Sequence, residues 1–274
     1  MEKNTHDFQV ALQAIYTKTE GSAEKKNIVN RRAVVRQDTG AVLGILSDNY
    51  TLLSHADVIN NFRKALGAYD YEERIQVAKG GAHLFATYKL NAIKVEVRKD
   101  DIVSLQFVVK NSYDGSSTLQ IMLGAYRLVC SNGMIVGKSF FNFSQKHVGG
   151  SNDIKIETIQ EKIGNLIGQF QNVLPKLQEM SRTDMVYDPQ DLTPAVLDGF
   201  FSKEKIKGMP AYLLEIAKAE FIRAEDWTLW GYYNALTFAI THSMKRESPV
   251  SMLKYGKVAW TVAQRQLLDN APVK

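Results

Sequence analysis

Apolar and polar positions alternate most cleanly over residues 92–98, where Ile93, Val95 and Val97 face one way and Lys94, Glu96 and Arg98 the other. A period of two predicts a strand with one buried face. Lys99, Asp100 and Asp101 form a turn into a second such run. There Val103, Leu105, Phe107 and Val109 alternate with Ser104, Gln106, Val108 and Lys110. Residues 111–117 supply turn chemistry, since Asp114-Gly115 tolerates positive φ and the serines can bond nearby backbone. Leu119, Ile121, Leu123 and Ala125 resume the alternation, and Ser131-Asn132-Gly133 predicts a closing turn. Further strands are expected at 31–36 and 41–46 around a turn at 37–40, at 75–79 and 83–90 on either side of Gly80-Gly81, and at 138–147.

Helical spacing marks the rest. Phe8, Leu12 and Ile15 predict a short helix over 7–16, and the polar stretch 18–30 reads as a loop. Val58, Ile59, Phe62 and Leu66 mark a helix opened by Ser54 or His55. Beyond Gly149-Gly150-Ser151-Asn152 the composition changes. Apolar positions from Ile156 to Leu177 outline a long amphipathic helix that Pro175 kinks or breaks. A short helix follows around Leu197. Two more fill 209–244 and meet near Ala224 to Asp226, where Trp227, Trp230, Tyr232 and Tyr233 make an aromatic patch. A final helix carries Met252, Tyr255, Val258, Ala259, Val262 and Leu267. The expected fold class is α+β: a helix and leader over 1–26, an antiparallel sheet with one or two packed helices over 27–148, and a helical region over 149–274.

With 274 residues, 45% of them hydrophobic, the chain can build one large domain or two modest ones. Cys130 is the only cysteine, which excludes an intramolecular disulfide and suits a reducing cytoplasm. The first residues carry acids and no long apolar run, so they do not read as a signal peptide. No window approaches the length of a membrane span. The expectation is a cytoplasmic protein with no membrane partner. Charge is unevenly placed: residues 1–150 hold 19 Lys/Arg against 14 Asp/Glu, and the remainder hold 15 of each. That bias favours a polyanion partner weakly, and solubility accounts for it as well.

Little points to catalysis. No glycine-rich phosphate loop is present, and His55, His83, His147 and His242 lack metal-ligand spacing, so neither cofactor nor metal is expected. Cys130 and His147 are the one candidate nucleophile and base, and a lone cysteine without a family signature argues against an enzyme. A basic and aromatic set is more informative. Arg31, Arg32, Arg36, Lys94, Arg98, Lys110, Arg127, Lys138 and Lys146 fall on or beside strands, interleaved with Tyr126, Phe140, Phe141 and Phe143. Sheets that bind single strands hold phosphates with cations and stack bases on aromatic faces. Against this, alternation alone sends half of those aromatics to the core, and scattered lysines are ordinary on a sheet surface. Val108, Met122, Tyr126 and Leu128 are apolar on the face opposite the regular set, so the helical half or a second copy must cover them. A homo-oligomer is expected on that ground.

Several stretches resemble, in order, the phage- and plasmid-borne family catalogued as domain of unknown function 932. They are Arg31 to Arg36 with Leu43-Gly44 and Asn49-Tyr50, then Asn111-Ser112-Tyr113-Asp114-Gly115-Ser116, Arg127 to Met134, and Lys146-His147. Residues 230–237 with His242 close the series. The resemblance implies a mobile-element setting, hence DNA metabolism, recombination or defence, with no settled activity to carry over. A likeness to oligomeric single-strand annealing proteins is architectural only. The expected function is non-enzymatic binding of single-stranded DNA in phage or plasmid recombination, with strand annealing as one form. The alternative is an anti-defence factor whose aromatic helical half docks a host protein.

Overall fold

The computed structural model describes residues 6–18, 20–21, 23–127, 132–134, 143–145, 156–243 and 249–269. Its first sheet has three antiparallel strands in the order β1 (Val10–Lys18), β2 (Lys25–Arg36) and β3 (Val42–Ser47). The helix expected over 7–16 is therefore a strand. Phe8, Leu12 and Ile15 satisfy helical spacing, but the backbone of Val10 to Ala14 pairs with that of Arg32 to Arg36, and tertiary pairing overrides a weak local period. The loop expected over 18–30 is largely strand for the same reason. Val10, Leu12 and Leu46 pack on a core of Phe8, Val34, Leu43, Tyr50, Ala82 and Tyr113.

Helix α1 (His55–Leu66) starts where the sequence places it. The Ser54 hydroxyl accepts from the Asp57 amide at 2.9 Å, and Val58, Ile59, Phe62 and Leu66 are buried. The second sheet has six strands: β4 (Tyr71–Ala78), β5 (His83–Arg98), β6 (Asp101–Ser112), β7 (Leu119–Arg127) and β8 (Asn132–Met134) in sequence order, with β9 (Phe143–Gln145) also on β7. The two strands read at 83–90 and 92–98 are one, since no glycine or proline interrupts them. The expected turn at Asn132-Gly133 is instead strand β8, whose register is Tyr126↔Gly133 and Arg127↔Asn132. Strand β6 is buried along both faces except at Ile102 and Gln106, which are half-buried. Val108 and Met122 are both buried within one chain. At these two positions no leftover apolar surface calls for a second copy; the side chain of Tyr126 and all of Leu128 lie outside the described residues.

The chain divides into two compact units. One comprises Met1–Tyr88, Phe107–Met122 and Phe141–Asn165, and the other Lys89–Gln106, Leu123–Phe140 and Leu166–Lys274. The helical part runs through α2 (Ile156–Met180), α3 (Pro194–Phe200), α4 (Ala211–Ala224), α5 (Leu229–Ser243) and α6 (Pro249–Asp269). Pro175 lies inside α2 without ending it, because Phe170, Val173 and Leu177 continue the buried stripe across it. Trp230, Tyr232, Tyr233 and Trp260 are fully buried, with the rings of Tyr233 and Trp260 meeting edge-on at 5.6 Å. Trp230, Tyr232 and Tyr233 are thus core residues, not a patch open to a host protein. Among the described residues, no helix is long and apolar enough to cross a membrane.

Candidate nucleic-acid interface

The β1–β2 hairpin reaches beyond its sheet. Strand β3 pairs with β2 only as far as Arg31↔Ser47, whereas β1 and β2 continue together through Tyr16↔Asn27, Thr17↔Lys26 and Lys18↔Lys25. Between the two parts the register jumps from Ala14↔Arg32 to Tyr16↔Asn27, so β2 bulges at its middle. Asn30 takes the left-handed conformation there, with φ 64°, and its carbonyl accepts from the Asp48 amide at 3.3 Å. Arg31 and Arg32, at the junction, are both exposed. Tyr16 is 57% exposed and Val29 77%. Lys18, Lys25, Lys26, Arg31 and Arg32 are all exposed, and none forms an ion pair with another described residue. The acidic residues nearby are Glu20 and Glu24 towards the turn and Asp48 beside Asn30.

Of the residues singled out from the sequence, only Arg31 and Arg32 lie at this junction; as successive strand residues they project from opposite faces, with Arg32 on the face of its partner Ala14 and hence of Tyr16. Arg36 is committed elsewhere: its guanidinium donates to Asp38 at 2.7 and 2.9 Å and to the Gly80 carbonyl at 3.3 Å, and lies 4.0 Å from the centre of the Phe8 ring. Lys94 is exposed on β5 in the other unit. Lys110 is buried, with its ammonium 5.9 Å from the Phe85 ring. Arg98 donates to Asp226 at 2.6 Å, and its Nε stands 3.4 Å from Asp101. Arg127 is buried and holds both oxygens of Asp101, at 2.6 and 2.5 Å. Trp230 adds an indole N–H at 2.8 Å. Burial opposes charge on Asp101, but the bonds from Arg127 and Trp230 outweigh it and hold the carboxyl below its ordinary range. Arg98 and Arg127 are therefore spent on carboxylates. Lys138, Phe141 and Lys146 lie outside the described residues, as do Cys130 and His147.

The reading from sequence missed Lys18, Lys25 and Lys26, because a run of polar residues with glycine and serine resembles a loop. The available signal was Ile28 and Val29, a β-branched pair in that run.

A second cluster gathers around residues 111–116. Asn111 donates to the Leu53 carbonyl at 3.1 Å and lies 3.0 Å from His55 Nδ1, while His55 Nε2 meets the Gly81 carbonyl at 3.0 Å. Tyr113 stacks on the His55 ring at 3.9 Å and accepts the His55 amide at 2.6 Å. Next to it, His83 Nε2 meets Asp114 at 2.6 Å and the Ser116 hydroxyl at 3.0 Å. Both partners share one ring nitrogen, so the imidazole cannot take the serine proton on one nitrogen while the carboxylate holds the other, the arrangement a hydrolytic triad requires. Burial works against the Asp114 charge, but hydrogen bonds from Ser116 and His83 prevail and hold it well below the usual carboxylate range. These contacts tie the turn after β6 to β5 and α1. Among the described residues no group of His, Cys, Asp or Glu is placed to hold a metal ion.

The family described as Domain of unknown function (DUF932) matches residues 42–263. The chain is similar to UPF0380 protein YfjQ of Escherichia coli (strain K12), with 36% identity over 75 residues, which is 27% of this chain and 26% of that protein. It is similar to UPF0380 protein YafZ of the same organism, with 36% identity over 59 residues, 22% of each. The matched stretches span about a quarter of the length of these curated relatives. No solved structure matches the chain.

Proposed function

We propose that this chain, which belongs to the family described as Domain of unknown function (DUF932), is a non-enzymatic protein that binds single-stranded DNA in the recombination of mobile elements, with strand annealing as one form of that role. The observation that supports this reading is the hairpin junction, where Arg31, Arg32, Tyr16 and Val29 are all exposed and Arg32 shares the face of Tyr16. Unpaired guanidinium groups take phosphate oxygens, and an exposed ring and an aliphatic side chain offer surface to unstacked bases. The hairpin precedes the residues matched by the family, so the reading rests on this chain's own side chains. The family's setting adds only the context of mobile DNA.

A mobility-shift series with unrelated single-stranded oligonucleotides across salt tests this. Retention that weakens steadily with salt and is indifferent to sequence supports it. A protein that retains no single strand even at low salt contradicts it.

A further inference from the structure

We infer that the distal part of the β1–β2 hairpin enters the major groove of a DNA duplex, so that the paired product is a ligand as well as the single strand. The inference rests on the nucleic-acid reading and assigns the tip a different ligand from the junction. Beyond the Asn30–Asp48 bond the hairpin continues as a two-stranded ribbon from Tyr16↔Asn27 to Lys18↔Lys25. Cross-strand partners share a face and successive residues alternate. Lys18 and Lys25 therefore project from one face and Lys26 from the other.

A platform for a single strand needs its cations and rings on one face. Cations on both faces suit a ligand that flanks the ribbon on two sides, as the phosphate backbones flank a groove. The dimensions agree. The three paired residues from Tyr16 to Lys18 span about 7 Å at about 3.3 Å per step, within the depth of about 8.5 Å of a major groove, which admits a two-stranded β-ribbon. Tyr16 is the one aromatic residue on this stretch of ribbon, so stacking surface is scarce there. Glu20 lies near the turn, the part that would meet base edges, where a carboxylate can accept from cytosine N4.

The test uses the full chain and a triple variant, Lys18→Ala, Lys25→Ala and Lys26→Ala, with one oligonucleotide supplied single-stranded and as a blunt duplex. The three side chains are exposed, and an unchanged melting temperature checks folding. The inference expects the variant to lose about tenfold or more on the duplex, with a salt slope shallower by roughly 2 to 3, while the single strand changes less than about threefold. Bulky substituents on pyrimidine C5, which fill the major groove, should weaken wild-type duplex binding. Duplex affinity that survives the triple variant, equal losses on both ligands, or indifference to the C5 substituents overturns the groove placement while leaving single-strand binding in place. A wild-type protein that binds neither ligand defeats the parent reading, and this one with it.

Discussion

Trp230 donates its indole N–H to the carboxylate of Asp101 at 2.8 Å, across 129 positions of sequence. Arg127 closes the same carboxylate from the other side. Asp101 thus organises its unit with one charge and three donors, since Arg98 also stands at 3.4 Å. Its folded-state pKa is depressed, so the carboxylate stabilises the fold above the ordinary value near 3.8 and ceases to do so as pH falls through the depressed value. Asp101→Asn should cost about 3 kcal/mol at neutral pH, because Arg127 is left buried beside a neutral group. The difference between variant and wild type should shrink in urea titrations as pH falls below the ordinary carboxylate value near 3.8. A difference that is constant with pH would mean the pair is not charged in the folded protein.

Gly44 sits against the turn after β6. A Cβ there would stand 2.5 Å from the Tyr113 carbonyl and 2.7 Å from the Asp114 Cα, both backbone atoms that cannot swing aside. Gly44→Ala should therefore destabilise by about 1 to 3 kcal/mol through overpacking, although alanine is normally acceptable in a strand. Thermal unfolding of Gly44→Ala reads this. At Gly115 the restriction is doubled, since φ is 72° and a Cβ would lie 2.6 Å from Leu46 Cδ2, so Gly115→Val should cost about 1 kcal/mol or more.

Tyr113→Phe isolates one hydrogen bond. It leaves the His55 amide, which donates to the Tyr113 hydroxyl at 2.6 Å, without that partner at the start of α1, while the ring stack with His55 is kept. The expected loss is about 1 to 2 kcal/mol. Unchanged stability in urea would mean that water replaces the hydroxyl.

Much of the fold is legible along the chain, and the exceptions have causes. The alternation of Ile93, Val95 and Val97 and the serine cap of α1 are local signals, and each element lies where its signal does. The N-terminal segment is ambiguous locally: Phe8, Leu12 and Ile15 satisfy a helical period, and pairing with β2 decides for a strand. The candidate site divides the same way. Arg31 and Arg32 are recognisable as cations on a strand, and both are exposed because they precede the buried run Ala33, Val34 and Val35. Nothing near Arg98 or Arg127 announces that Asp226 or Asp101 will neutralise them, because those partners are fixed by tertiary packing. The aromatic residues around Asp226 read as a surface group, but the low polar content of α5, with Trp230, Tyr232, Tyr233 and Leu236 on several sides of one helix, signals a buried helix.

Arg36 separates stability from binding. Its guanidinium is held by Asp38 and rests on Phe8, and the bond to Asp38 raises its pKa. Arg36→Ala should lower the melting temperature by freeing Phe8, and should leave the salt dependence of DNA binding as it is in the wild type. A shallower salt slope with an intact melting temperature would place Arg36 on the interface instead.

The most direct measurement of the central claim is fluorescence anisotropy of a labelled single-stranded oligonucleotide, titrated at several salt concentrations with wild type and with the double variant Arg31→Ala and Arg32→Ala. Two lost phosphate contacts should weaken binding alike for unrelated sequences and reduce the slope of log Kd against log salt by about 1.4, with unfolding unchanged because both side chains are exposed. An unchanged affinity and slope in a folded double variant would contradict the assignment of this hairpin as the nucleic-acid interface.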